Sequence, residues 1–106
     1  MKKLEEMTLQ EKIGQLIIVG FPSPYYDENL KTLVEKYKCG NVIMFTRNFQ
    51  NASQMKKLCT DVHKNIYKEI GLYPFISIDQ EGGLVTRLMK DVTFPPSQMT
   101  SSASAV

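Results

Sequence analysis

Four consecutive apolar residues, Val42-Ile43-Met44-Phe45, lie between two stretches of helical period, and this constrains the fold more than any other feature. A strand wetted on one face alternates apolar and polar residues. A strand apolar at every position is covered on both faces, as in parallel sheets. Residues 41–46 therefore read as a buried parallel strand. Before it, counting from Asp27, Leu30, Leu33, Val34 and Tyr37 have the i, i+3, i+4, i+7 spacing of an amphipathic helix, and Gly40 marks its C-cap region. After it, Asn51-Ala52-Ser53-Gln54 is a capping box. It opens the longest helix, about 52–70, with a buried stripe of Met55, Leu58, Cys59, Val62, Ile66 and Ile70, and Gly71 ends it.

Two more strands follow from the same reasoning. The β-branched and aromatic run that Pro22 stops predicts a strand at about 16–20. Pro74-Phe75-Ile76-Ser77-Ile78-Asp79 predicts a third, with proline first, where no ladder donor is lost. Ahead of them, Thr8-Leu9-Gln10-Glu11 is a capping box, and Ile13, Leu16 and Ile17 fall on one helical face. The order is a lead-in helix followed by β-α-β-α-β. With no hairpin signal between strands, this predicts right-handed crossovers and a parallel sheet, an α/β fold. After Asp79 the periodicity dissolves, and the small polar tail 101–106 is expected to be loose. Both edge strands are too apolar to face water, so the chain reads as the first part of something larger.

Charge and composition exclude several functions. Thirteen Lys+Arg against eleven Asp+Glu give a scattered net charge of +2 and no basic stripe, so no nucleic-acid partner is expected. No apolar run exceeds four residues, where a membrane span needs roughly 20. The amino terminus lacks the apolar stretch of about 7–15 residues that an export signal requires. A cytoplasmic location without membrane attachment is the expectation. Cys39 and Cys59 read as small buried hydrophobes in a reducing compartment. His63, with Cys59 four residues before it, is too little for a metal site.

In parallel α/β folds, ligands bind at the carboxyl ends of strands. Gly20-Phe21, Arg47-Asn48 and Asp79-Gln80-Glu81-Gly82-Gly83 collect there. An ionisable Asp79 closing an apolar strand is costly without a partner or ligand, and paired glycines allow positive φ or close backbone approach. Asp79 could instead simply cap the turn. Asp79 and Glu81 suggest the paired carboxylates of a glycosidase, but residues i and i+2 of a loop have no fixed separation. Arg87 could pair with Asp79 or Glu81, or reach a substrate. Arg47-Asn48 could line the same mouth or be solvated, and Tyr25-Tyr26 could form a lid or pack over strand edges. Neither a dinucleotide fingerprint nor a P-loop is present.

Several segments together carry a resemblance. They are Met7-Thr8-Leu9-Gln10-Glu11-Lys12-Ile13-Gly14-Gln15-Leu16, Ile18-Val19-Gly20-Phe21, Gly40-Asn41-Val42-Ile43-Met44-Phe45-Thr46-Arg47-Asn48, Ile78-Asp79-Gln80-Glu81-Gly82-Gly83 with Val85 and Arg87-Leu88, and Phe94-Pro95. The series resembles the amino-terminal barrel domain of glycoside hydrolase family 3, with the bacterial β-N-acetylhexosaminidases as its nearest likeness. The resemblance implies a TIM-like (β/α)8 barrel, of which residues 1–106 would be an amino-terminal fragment holding the first three β/α units, since a whole barrel takes about 250 residues. It implies a retaining hydrolase of O-glycosyl bonds, cleaving terminal β-linked N-acetylglucosamine in carbohydrate or cell-wall turnover. By the same resemblance, Asp79 is a substrate-binding carboxylate and Arg87 a supporting substrate-binding residue, the partner is a carbohydrate substrate, and no cofactor or metal is implied.

Two departures from the family pattern stand out. Leu84 occupies a position where the family usually has arginine. No residue here matches the family's catalytic nucleophile, its His-Asp acid/base pair or its Lys-His substrate contacts. No catalytic residue is therefore assigned, and the chain alone is expected to be inactive. Two alternatives stay open: a non-catalytic truncated remnant that at most binds sugar or associates with another chain, and a small flavodoxin-like domain binding a nucleotide or phosphate.

Overall fold

The computed structural model describes residues 1–105. After a single 3-10 turn at Leu4–Glu6 the order is α1 (Leu9–Gln15), β1 (Ile18–Val19), α2 (Glu28–Glu35), β2 (Asn41–Met44), a 3-10 turn at Thr46–Asn48, α3 (Ala52–Ile70), β3 (Ile76–Ile78) and α4 (Gln98–Ala103). The three strands form one parallel sheet in the order β1-β2-β3. Ile18 pairs with Asn41, and Val42, Ile43 and Met44 pair with Ile76, Ser77 and Ile78.

This strand order excludes a flavodoxin-like sheet. A flavodoxin-like sheet is wound in both directions, with β1 in its interior and helices on both faces. Here the strands run in chain order, and α2 and α3 pack into a single core against one face of the sheet. Leu30 and Val34 of α2 and Leu58, Val62, Ile66 and Ile70 of α3 meet Val42 and Met44 of β2 there, joined by Phe21. Each such fully buried aliphatic side chain contributes about 1.5–3 kcal/mol relative to exposure.

The alternation of strand side chains divides the sheet into two unlike faces. Val19, Val42, Met44, Ile76 and Ile78 belong to the helix-covered core. Ile18, Asn41, Ile43, Phe75 and Ser77 point the other way, and so do Phe45 and Asp79, one residue beyond β2 and β3. In a closed barrel this second face is the interior. Here it is open, with Ile18 55% and Phe75 78% exposed.

One polar side chain ties the amino ends of the strands together. Asn41, buried, donates from Nδ2 to the carbonyls of Gln15 (2.9 Å) and Ile17 (3.3 Å) and accepts at Oδ1 from the Phe75 N–H (3.0 Å). It thereby links the segments entering β1 and β3 across β2.

The helix bounds follow the caps. Asn51 accepts from the Gln54 N–H at 2.9 Å, and α3 ends where Gly71 turns to φ 82°. Thr8 and Glu11 form the capping box of α1, and Glu11 also accepts from Lys2 Nζ at 2.7 Å.

Several expectations are corrected. The strand predicted over 16–20 is confined to Ile18–Val19, because Leu16 remains in the helical region as the C-cap of α1 and is 86% exposed. The buried residues of α1 are Glu11 and Gly14, not the Ile13–Leu16–Ile17 face, which is solvent-exposed. Tyr37 lies beyond the end of α2 and is exposed, since the chain turns at Lys38 with φ 57°. Strand β2 stops short of 46 because Phe45 is the N-cap of the turn at Thr46–Asn48, and β3 runs only over Ile76–Ile78, where its pairing with β2 ends. In the carboxyl-terminal segment, where no periodicity was evident, Ser97 accepts from the Thr100 N–H and starts α4. Val106 lies outside the described residues.

Candidate functional site at the carboxyl ends of the strands

The β3 strand delivers Asp79 to the carboxyl edge of the open face, level with Phe45 because Met44 pairs with Ile78. Past Asp79 the chain folds back on itself. Gly82 and Gly83 take φ 80° and 59°, and Gly82 bridges to Val85. A Cβ on Gly82 would lie 2.7 Å from the Pro95 carbonyl oxygen and closer still to that of Pro96. The glycine pair therefore meets both needs at once, positive φ and close backbone approach.

Gln80 fixes the returning segment. Its Oε1 accepts from the N–H groups of Arg87 (2.9 Å) and Leu88 (3.1 Å). The Arg87 side chain is thereby carried back over the sheet, where Nη2 lies 3.5 Å from Asp79 Oδ2. Both side chains are partly buried, at 30% and 43% exposure, so a ligand can reach part of each. Among the described residues, the buried Arg87 Nε has no hydrogen-bond partner.

The second arginine belongs to the same cluster. Arg47 donates from Nε to the Phe21 carbonyl at 2.9 Å, and its guanidinium carbon lies 4.6 Å from the Phe45 ring centroid. The Arg87 guanidinium lies over the same ring at 5.8 Å. Asp79, Arg87, Phe45 and Arg47 thus converge on one mouth.

Asn48 is a scaffold residue. It is completely buried, donates to the carbonyls of Phe21 (3.0 Å) and Ser23 (2.7 Å) and accepts from the Phe45 N–H (2.8 Å). It locks the loop after β1 to the turn after β2. Tyr26 packs against the core, while Tyr25 is exposed and donates to Gln50 at 3.1 Å. Glu81 is exposed, and among the described residues its side chain makes no hydrogen bond or ion pair. Leu84 is fully exposed at the tip of the turn. Sequence reasoning missed Phe45 as a site residue because it reads simply as the last apolar residue of a strand.

Comparison with known proteins is consistent throughout. A glycoside hydrolase family 3 β-N-acetylglucosaminidase from Paenibacillus sp. str. FPU-7 superposes with a TM-score of 0.89 at 34% identity, over 94% of this chain and 19% of that one. NagZ from Neisseria gonorrhoeae, solved in complex with N-trifluoroacetyl-D-glucosamine, superposes with a TM-score of 0.64 at 29% identity, over 76% of this chain and 22% of that one. A β-hexosaminidase of Haemophilus influenzae is 39% identical over 56 residues, which is 53% of this chain and 15% of the relative. The chain thus spans about a fifth or less of the length of these proteins. The three sheet-forming units are the opening β/α units of the family's barrel. With the model of the "Glycosyl hydrolase family 3 N terminal domain" matching residues 8–106, the chain belongs to that family.

Proposed function

We propose that this chain contributes the Asp79–Arg87 part of the sugar site of a retaining glycosidase that releases terminal β-linked N-acetylglucosamine. Such an enzyme would serve carbohydrate or cell-wall turnover in the cytoplasm. The observation that carries the reading is the position of Asp79, a carboxylate at the carboxyl end of β3 on the open face with Arg87 at 3.5 Å. An ionised carboxylate accepts hydrogen bonds from vicinal sugar hydroxyls, and an adjacent guanidinium donates to a hydroxyl oxygen. The pair binds and orients; it does not break the bond. Retaining hydrolysis needs a carboxylate nucleophile and a separate acid/base, and no residue of this chain matches the family's. The N-acetylglucosamine analogue bound by the Neisseria gonorrhoeae relative supports the choice of sugar.

Titration of the 106-residue chain with N-acetylglucosamine, followed by amide NMR, tests the reading. Shifts centred on Asp79 and Arg87 that vanish in Asp79→Asn are expected. Binding that Asp79→Asn leaves intact refutes it. Hydrolysis of a chromogenic N-acetylglucosaminide by the pure chain is expected to be undetectable, and turnover above background would overturn the inactive assignment.

The exposed apolar residues Ile18 and Phe75 on the open sheet face favour a second reading. In it, the chain is a non-catalytic remnant that associates with another chain through this face. Analytical ultracentrifugation tests this second reading: a monodisperse monomer to high concentration argues against association.

A further inference from the structure

Arg87 is weakly held for a residue on which a sugar site depends. Its contact with Asp79, at 3.5 Å, is at the long limit of a hydrogen bond, and among the described residues its buried Nε has no acceptor. What lies beside its guanidinium is the Phe45 ring. That ring is in turn fixed from the other side of the mouth. Arg47 lies over it at 4.6 Å and is itself anchored on the Phe21 carbonyl. Gly20 leaves the room this requires, since a Cβ there would lie 3.1 Å from both Phe45 Cε2 and Arg47 Nη2. A continuous line of contacts therefore runs from the end of β1 through Arg47 and Phe45 to Arg87 and Asp79.

The geometry points to Phe45 and Arg47 as positioning residues of the sugar site: the ring, steadied by Arg47, sets the Arg87 guanidinium beside Asp79. This rests on the reading of Asp79 and Arg87 as sugar-binding residues. Neither Phe45 nor Arg47 needs to touch the sugar. Cation–π contacts of this exposure amount to a factor of roughly two to five in an equilibrium, so loss of either residue loosens Arg87 without abolishing the site.

The chain has only two arginines, so its side-chain Nε–Hε spectrum contains two assignable signals. The experiment measures 15N relaxation of the Arg87 Nε in the 106-residue chain and in Phe45→Leu, Arg47→Gln and Phe45→Tyr, with the affinity for N-acetylglucosamine alongside. In both Phe45→Leu and Arg47→Gln, the Arg87 Nε is expected to become mobile and sugar affinity to fall about two- to fivefold. Phe45→Tyr, which keeps the ring, is expected to restore both. Arg47 is exposed, so Arg47→Gln keeps the test intact if Phe45→Leu disturbs folding. An Arg87 Nε as ordered in Arg47→Gln as in the parent overturns the proposal. Sugar affinity unchanged in Asp79→Asn would instead remove the sugar-binding reading, while the relaxation data still decide whether Phe45 and Arg47 hold Arg87.

Discussion

Replacing Asn48 by alanine removes three buried hydrogen bonds at once, to the Phe45 N–H and to the carbonyls of Phe21 and Ser23. Each is worth about 1 kcal/mol net, and leaving the Phe45 N–H without an acceptor adds a desolvation cost of about 1–3 kcal/mol. The Phe21 carbonyl keeps its bond from Arg47, which offsets part of the loss. The expected destabilisation is therefore about 3–5 kcal/mol. Urea unfolding followed by circular dichroism would show it as a midpoint lowered by roughly 1.5–2.5 M, for a slope of about 2 kcal/mol per molar. Asn48→Asp sharpens the reasoning. It matches asparagine in size and can still accept from Phe45, but at neutral pH it turns a carboxylate oxygen toward two carbonyls. Its cost should equal or exceed that of alanine and shrink on acidification, because burial beside carbonyls raises the carboxyl pKa and protonation supplies a donor. An alanine variant within about 0.5 kcal/mol of the parent, or an aspartate variant as stable as the parent at neutral pH, would refute this account of Asn48.

Three further outcomes are expected. Gly14→Ala should destabilise, although alanine is the better helix former by about 1 kcal/mol. The new Cβ would lie 2.6 Å from the Lys38 carbonyl carbon, and the Gly40 N–H to Gly14 carbonyl bond (3.1 Å) would be forced apart; a raised melting temperature contradicts this. The hydrogen bond from Lys2, with that from the Thr8 N–H, holds the Glu11 carboxyl below its usual 4.5. Its folded pKa is thus the lower one, so the stability it contributes is complete above about pH 4.5 and is lost as pH falls through the folded value. Glu11→Gln should accordingly lose less melting temperature than the parent between about pH 6 and about pH 3, and parallel curves would count against the pair. Burial pushes the thiols of Cys39 and Cys59 up. Iodoacetamide should therefore spare Cys39 in the native chain, modify the half-buried Cys59 more slowly than a free thiol, and react with both in urea. Equal native and unfolded rates at Cys39 would show that it is not enclosed.

How much of this was readable in advance depended on whether the determinant was local. The bounds of α3 were legible because Asn51 and Gly71, which set them, adjoin it in sequence. Parallel pairing was legible from the unbroken apolar run at Val42 to Phe45. The orientation of α1 was not, because apolar spacing made Ile13, Leu16 and Ile17 look like the inner face. The docked side is instead set by Gly14 meeting the turn at Lys38 and by Glu11 reaching Lys2, contacts between distant segments. At the mouth, Asp79 stands out in the sequence because a charge ending an apolar strand calls for a partner, and Arg87 is a candidate for it. Asn48 gave no such signal. An amide after a strand reads as an ordinary loop residue until its bonds to the carbonyls of Phe21 and Ser23, distant in sequence, are seen.

The two-faced sheet makes the site a matter of counting. Phe75, Ser77 and Asp79 share a face only because an even number of bonds separates them, and the intervening Ile76 and Ile78 are committed to the core. Deleting one residue from this stretch would leave its composition almost unchanged. It would nonetheless send an isoleucine to the mouth and drive the carboxylate toward α3. This segment can therefore drift in identity far more freely than in length.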